Sequence, residues 1–480
     1  MRSPTIESNI RALTLALAAA FLVTSVGVTY WTIFASDQLA SDPFNPRLIA
    51  ATRDRPRGSI VDRGGTVLAA SEKTQDGFAR SYKDRSLAQV TGYASLVYGL
   101  SGVEAAYADS LIGQDPADPL TMWRARYLGE HAAAGKVMLG IDSKLQKAAA
   151  DALGGRRGAI VALDPRTGAI LASVSVPTYD PNAVVDPSRQ QDAFAQLQQA
   201  ADRPLLNRVT QGLYPPGSIF KVVTASAALE NGFDPNKKLR VDDPYQPDKS
   251  WGDYYVRSAS HAHGDFNMAD GFRLSENIYF AQVGLQVGAA KVTEYIKRFG
   301  VGAAPKVDLP AAKGQLSASG SIDRPTLLAD TSYGQGELLV SPLQMALIYA
   351  TIANGGVMPT PHYATEVRDS ADHVVREIAP GPAGQVITPN TARAITTMLV
   401  GAVSGPGAFA FGAKIPGVDV AGKTGTAENR PGEAPHGWFV GFAPAQAPTI
   451  VVAVAVENAA DGGLTAAPLG GQLIRAALGK

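Results

Sequence analysis

Hydrophobic patterning divides the chain into stretches of different period. From Ala12 to Phe34, 23 residues run without a charge and without a polar face. A run that long and that uniformly apolar predicts a helix able to cross a bilayer. Far downstream, "GAIVALD" from Gly158 and "GAILASVSV" from Gly168 are short apolar runs flanking Pro165-Arg166-Thr167. That is the pattern of two strands joined by a turn whose proline fixes φ. "VAGKTGTAE" from Val420, "GWFVGFAP" from Gly437 and "TIVVAVAVEN" from Thr449 read as three further strands. Between the two groups the period is helical: Phe220 to Leu229, Leu274 to Val287 and Pro342 to Ala353, within a middle region of roughly 195 to 400. Leu145, Ala148, Ala149 and Leu153 form a helical stripe ahead of the first strand, and "GGQLIRAALGK" closes the chain as a covering helix. Strands at both ends around a helical middle predict an α+β fold, a five-stranded antiparallel sheet packed with helices. Ahead of it, Asp62-Arg63-Gly64-Gly65 between Ser59-Ile60-Val61 and Thr66-Val67-Leu68 signals a short hairpin. The expected organisation is a tail over 1–11, a membrane segment over 12–34, a small pedestal over 36–139 and a larger unit over 140–480. Residues 84 to 130 of the pedestal carry no chemical cluster that the sequence makes visible.

Composition narrows the classes. Lys plus Arg and Asp plus Glu both total 43 in 480 residues, so no global field argues for nucleic acid. Cysteine is absent, which excludes a thiol nucleophile, a zinc-thiolate site and a disulfide framework. Arg2 and Arg11 precede the apolar run, and Tyr30 and Trp31 lie near its far end. The positive-inside rule then keeps the N-terminus cytoplasmic and places everything after Ser36 outside. A cleaved signal peptide has an apolar core of only about 7–15 residues, so an uncleaved signal anchor is the better reading.

Three clusters carry candidate chemistry. In "LYPPGSIFKVVTA", Pro215, Pro216 and Gly217 resist helix directly before Ser218, and Lys221 follows three residues later. This predicts Ser218 at the first turn of a helix with the lysine ammonium beside its hydroxyl. A simple N-cap serine is the plainer alternative. In "GFRLSENIYF", Ser275 and Asn277 would face one side and Glu276 the other, although a Ser or Asn there is ordinarily a helix N-cap. In Lys423-Thr424-Gly425-Thr426, a strand offers a cation, two hydroxyls and an exposed backbone edge. Gly425 is expected to leave room for a ligand lying along the strand. A protected edge strand would read the same way. His261, His263 and Asp265 are read as loop residues and not as a metal site.

Taken in order, S-x-x-K, S-x-N and K-T-G resemble the signature of penicillin-binding proteins and serine β-lactamases. The separation from Ser275 to Lys423 resembles that of the larger penicillin-binding members. "RPRGSIVDRGGTVLA", carried by Arg57, Gly58, Asp62, Arg63 and Gly65, and "GLSGVEAAYADSLIG" resemble pedestal motifs of the class B enzymes. "SYGQGELLVSPLQMALIYATIANGG" and "HGWFVGFAP" resemble segments around the transpeptidase cleft. The likeness runs from about Asp54 to the C-terminus and is to the short class B enzymes of the penicillin-binding protein A type. Two departures stand out: the pedestal is short, and the likeness includes neither appended C-terminal modules nor a preceding glycan-polymerising domain, unlike class A.

The resemblance implies peptidoglycan D,D-transpeptidation on stem peptides ending in D-Ala-D-Ala, with covalent inhibition by β-lactam antibiotics. Ser218 would be the nucleophile, Lys221 its base, Lys423 the second cation, Ser275 a proton relay and Asn277 a holder of the substrate amide. Backbone N–H groups of Ser218 and Thr426 would form the oxyanion hole, and Thr424, Gly425 and Thr426 would bind the terminal carboxylate. No metal or cofactor is implied; a membrane glycosyltransferase of the SEDS type is the implied partner. A D,D-carboxypeptidase, using water for the amine, stays open. A membrane-anchored serine β-lactamase is disfavoured, since no Glu-x-x-Leu-Asn stretch follows Ser275-Glu276-Asn277 and the nearby bases expected are Lys221 and Ser275 alone. Signalling receptor and purely structural roles fit the short cytoplasmic tail and the intact clusters poorly.

Overall fold

Alternating side chains along the strands sort the larger unit's core into two layers, and this sorting fixes where the reactive residues sit. A computed structural model of the chain describes residues 6–35, 56–75, 77–113, 134–378, 381, 384–429, 432–459 and 461–480. Its principal elements are α1 (Ile6–Thr29), β1 (Ile60–Val61), β2 (Val67–Thr74), β3 (Gly77–Tyr82), β4 (Lys136–Leu139), α2 (Ser143–Leu153), β5 (Gly158–Leu163) and β6 (Ile170–Val176). They continue with α3 (Lys221–Glu230), α4 (Asn277–Val287), α5 (Pro325–Ser332), α6 (Pro342–Ala353), β7 (Ala364–Arg368), β8 (Val374–Glu377) and α7 (Pro389–Ser404). The last are β9 (Ala421–Ala427), β10 (His436–Ala443), β11 (Ile450–Val456) and α8 (Ala466–Ala477).

The larger sheet has the order β9-β10-β11-β5-β6, antiparallel throughout. Ala159, Val161, Val451, Ala453, Trp438 and Val440 point to one face, into the core shared with α3 and α6. Ile160, Ala162, Val452, Val454 and Phe439 point to the other, against Leu145 and Leu153 of α2 and Leu473 and Ile474 of α8. Because both faces are covered, β5, β10 and β11 are buried along their whole length and read as continuous apolar runs. The predicted α+β architecture with a five-stranded antiparallel sheet is the one observed. The helix expected over 342–353 spans those residues, set by proline at its first position and a reciprocal Ser341–Gln344 capping box.

The hairpin expected at 62–65 is present. Asp62 Oδ1 accepts from the N–H groups of Gly64 and Thr66 at 2.8 and 2.7 Å, and Oδ2 accepts from Ser143 Oγ at 2.6 Å. One carboxylate therefore both shapes the pedestal turn and ties it to the first turn of α2. The pedestal sheet runs β8-β7-β4-β1-β2-β3, so residues 364–377 supply two of its strands. That hairpin was hidden in a region expected to be helical, because β8 is exposed on both faces and shows no alternation. The pedestal also holds a charged centre in a stretch expected to carry none. Glu104, fully buried, bonds Arg57 Nε at 2.7 Å and Arg80 Nε at 2.5 Å and accepts from Tyr82 Oη at 3.2 Å. Helix α1 and the turn that continues it to Phe34 form one apolar helix long enough to cross a membrane, with none of it buried against the protein.

Removing Glu104 would leave two guanidinium groups buried without a carboxylate, a change that costs about 3–5 kcal/mol. Glu104→Ala is expected to lower stability by that amount in urea unfolding of the pedestal signal. A loss under about 1 kcal/mol would show that the carboxylate does not organise this domain.

Candidate active site

The turn bearing Ser218 is built by what surrounds it. Gly217 has φ +58, a left-handed backbone that glycine adopts without strain. Its N–H bonds the carbonyl of Gly334 at 2.8 Å, and a Cβ at Gly334 would lie 1.9 Å from the Gly217 oxygen. Trp438 Nε1 donates to the Pro215 carbonyl at 3.0 Å from β10. The expectation of an α-helical first turn needs correction: Ser218 lies in a 3-10 turn, Gly217–Phe220, and α3 begins at Lys221. The tighter turn follows from pinning Pro215 and Gly217 on both sides. Ser218 and Lys221 still meet, with Nζ 2.8 Å from Oγ.

Lys221 is fully buried, and its ammonium nitrogen has three oxygen neighbours. It donates to the Ser275 carbonyl at 2.6 Å and to Asn277 Oδ1 at 2.8 Å. Both are obligate acceptors and take two of its hydrogens. The third tetrahedral position faces Ser218 Oγ. In the neutral amine that position is a lone pair, and the serine O–H donates into it. Burial holds the lysine well below its ordinary pKa, the nearby charge of Lys423 pushes the same way, and Glu276 opposes both. Lys423, 1 % exposed, is itself pushed by burial down to about 7. It donates to Ser275 Oγ at 2.8 Å and to the Thr424 carbonyl at 3.1 Å.

Ser275 stands between the two lysines, and its backbone explains how one residue reaches both. Its φ of +57 is uncommon for a residue with a Cβ and carries strain of the kind found at functional sites. The carbonyl thereby faces Lys221 and the hydroxyl faces Lys423. Glu276 does face away as expected, but into the interior: fully buried, it accepts from Ser258 Oγ at 2.7 Å and Ser260 Oγ at 2.9 Å. It is also the N-cap of α4, accepting from the Ile278 N–H, so neither Ser275 nor Asn277 has that role. Asn277 Nδ2 donates to the Arg257 carbonyl at 3.2 Å, which fixes Oδ1 toward Lys221.

Strand β9 is the edge of its sheet, and the Ser218 turn packs against it. Thr424 and Thr426 line an open cleft of about 750 Å³ together with Ser218, Ser275 and Asn277. Gly425 does not: a Cβ there would meet the Pro216 carbonyl at 2.8 Å and Ile219 Cγ2 at 3.3 Å. The glycine is thus needed for close packing of the nucleophile's turn, not for ligand clearance. Asp330, Glu428, Tyr254 and Tyr333 also line the cleft. Asp330 and Tyr333 are three residues apart, Glu428 follows the Lys423 strand, and Tyr254 comes from a separate segment, so none of the three motif spacings picks out the group. Their presence corrects the expectation that Lys221 and Ser275 are the only bases near Ser218. His261 projects outward, its side chain 87 % exposed and Nδ1 3.6 Å from Asp243 Oδ2. Among the described residues no group of three or more His, Asp or Glu is arranged to hold a metal ion.

Comparison with known proteins agrees with this geometry over nearly the whole chain. Residues 158–475 match the family model of the penicillin binding protein transpeptidase domain, and residues 57–137 match that of the penicillin binding protein A dimerisation domain. The peptidoglycan D,D-transpeptidase PbpA of Mycolicibacterium smegmatis is 34% identical over 499 residues, covering 98% of this chain and 99% of that protein. Penicillin-binding protein A from M. tuberculosis as a ceftriaxone acyl-enzyme superposes with TM-score 0.82 at 33% identity, over 90% of this chain and all of the other. Its penicillin G acyl-enzyme gives 0.79 at 34% identity, over 88% of this chain and all of the other.

Protonating Lys221 would fill the lone pair that receives the serine proton, so reactivity of Ser218 toward an activated ester should fall as pH decreases. Lys423→Met removes one of the two effects that depress the Lys221 pKa, which then returns toward 10.5. The acid limb of the acylation rate is expected to move to higher pH in that variant. An unmoved limb, or one displaced to lower pH, would show that Lys423 does not control the charge on Lys221.

Proposed function

The chain belongs to the class B penicillin-binding proteins, the serine D,D-transpeptidases of peptidoglycan, and from that we propose how its residues divide the reaction. Ser218 attacks the penultimate D-Ala carbonyl of a stem peptide ending in D-Ala-D-Ala and expels the terminal D-Ala. A hydroxyl needs an adjacent base at neutral pH, and neutral Lys221 takes its proton. The single observation that carries this role is the pair of obligate acceptors on Lys221 Nζ, which leave only its third position for Ser218 Oγ. Ser275, in contact with Lys423, passes a proton to the departing nitrogen. Asn277 fixes Lys221 and holds the substrate amide. Backbone N–H groups of Ser218 and Thr426 receive the developing oxyanion; loss of one such donor costs about 10²–10³ in rate. Thr424 and Thr426, backed by the charge of Lys423, bind the terminal carboxylate, while Gly425 lets strand and turn approach.

The wider setting is part of the same proposal. The apolar helix α1 anchors the protein, with Arg2 and Arg11 holding the N-terminus in the cytoplasm and the catalytic unit outside. A membrane glycosyltransferase of the SEDS type supplies the glycan strands; the support is the family resemblance alone. Purified with a candidate polymerase and lipid-linked precursor, the protein should yield cross-linked dimers. Release of D-Ala without cross-links would make it a D,D-carboxypeptidase.

β-Lactams should acylate Ser218. The opened ring stays attached, so it blocks the path by which an acceptor would arrive. A penicilloyl adduct on Ser218 is expected to persist for many minutes to hours, a deacylation barrier above about 20 kcal/mol. Peptide mapping and intact-mass spectrometry after removal of free drug check both points. Labelling of Ser218→Ala, or turnover within seconds, would contradict them.

A further inference from the structure

Asp330 is a carboxylate inside the catalytic cleft that none of the roles above uses. It lies in α5, directly before the Gly334-Gln335-Gly336 turn that holds Gly217. Tyr254 and Tyr333 both donate their phenolic hydroxyls to the same oxygen, Oδ1. Oδ2 has no hydrogen-bond partner among the described residues, and no Lys, Arg or His among them pairs with Asp330. Arg257, which shares the cleft lining, stacks on Tyr255 instead, 5.9 Å from the ring centroid. Burial and the like charge of Glu428 raise the Asp330 pKa, and the two phenols oppose them. A half-satisfied carboxylate without a cation is costly to keep in a partly desolvated cleft. Its environment becomes favourable when a cation enters.

Resting on the transpeptidase reading, we propose that Asp330 is the acceptor-side residue: its Oδ2 binds the ammonium group of the attacking stem peptide and takes one of its protons. The acceptor must be an amine, and near neutral pH a primary amine of this kind is mostly protonated. The ammonium gives one proton to Asp330, and the freed lone pair attacks the acyl carbon held on Ser218. The C–N bond forms and the C–Oγ bond breaks. The nitrogen's second surplus proton passes through Lys221 to Ser218 Oγ, which restores the hydroxyl. Asp330 then returns its proton to water in the open cleft. The phenols hold Oδ1, so Oδ2 stays aimed at the incoming amine.

The test compares fates of one acyl-enzyme. An acyl-D-alanyl thioester serves as donor, a stem peptide with one free primary amine as acceptor, and amide and acid products are counted by mass spectrometry. The acceptor concentration that gives equal amounts of both should rise at least about tenfold in Asp330→Asn, the loss of a charged hydrogen bond. Transfer to methanol, which carries no charge, should change far less. Tyr254→Phe keeps the carboxylate and should raise the amine requirement by less than about threefold. An unchanged amine requirement in Asp330→Asn, or equal losses for amine and methanol, would overturn the assignment. No acyl-enzyme from the thioester on wild-type protein would overturn this and the transpeptidase reading together; an acyl-enzyme with normal Asp330→Asn transfer would overturn only this one.

Discussion

Two lysines are buried on either side of one serine, and the site depends on how burial and the nearby charge of Lys423 disfavour a proton on Lys221. Taking an ammonium group out of water is costly, and a second cation nearby adds repulsion. Lys423 is pushed down to about 7, and Lys221 is depressed by burial and by Lys423 together. Both effects act on Lys221 and favour its neutral form, a free base beside Ser218. A lysine exposed to solvent would be an ammonium at neutral pH and useless as a proton acceptor.

The fold is arranged to hold that pair dry and in register. Lys221 comes from a helix, Ser275 and Asn277 from the lead into a second helix, and Lys423 from the edge strand of a sheet. These three sources converge because the sheet is buried on both faces and its edge strand packs on the nucleophile's turn. Close approach makes small residues obligatory at that junction. A Cβ at Gly425 or Gly334 would strike backbone carbonyls of Pro216 or Gly217 and displace Ser218. Stability of the core and placement of the nucleophile are thus one problem, solved by the same contacts. Asp62 extends the coupling to the pedestal by bonding Ser143 at the start of α2.

Much of this was legible in the chain. Strands buried on both faces announce themselves as unbroken apolar runs, and the five-stranded sheet followed from β5, β6 and β9 to β11. Ser218 and Lys221 were legible because spacing of three survives a change from α-helix to 3-10 turn. Less was legible where position depends on tertiary packing. Glu276 looked like a spacer between Ser275 and Asn277 and is a buried N-cap. Gly425 looked like ligand clearance and is a packing requirement. Glu104 lay in a stretch expected to carry no chemical cluster, since its partners Arg57 and Arg80 arrive from elsewhere in the chain. Asp330 and Tyr333 are neighbours three residues apart, and Tyr254 joins them only in the folded cleft. The β7–β8 hairpin was hidden because its outer strand has no buried face to impose a period of two.

The claim on which the rest depends is the absence of a third hydrogen on Lys221. Neutron diffraction from deuterium-exchanged crystals at neutral pH reads it directly. The account predicts two deuterons on Lys221 Nζ, toward the Ser275 carbonyl and Asn277 Oδ1, with the Ser218 deuteron on Oγ and directed at Nζ. Three deuterons on Lys221, one of them pointing at Ser218 Oγ, would mean that the lysine is a fixed cation and that some other group takes the serine proton.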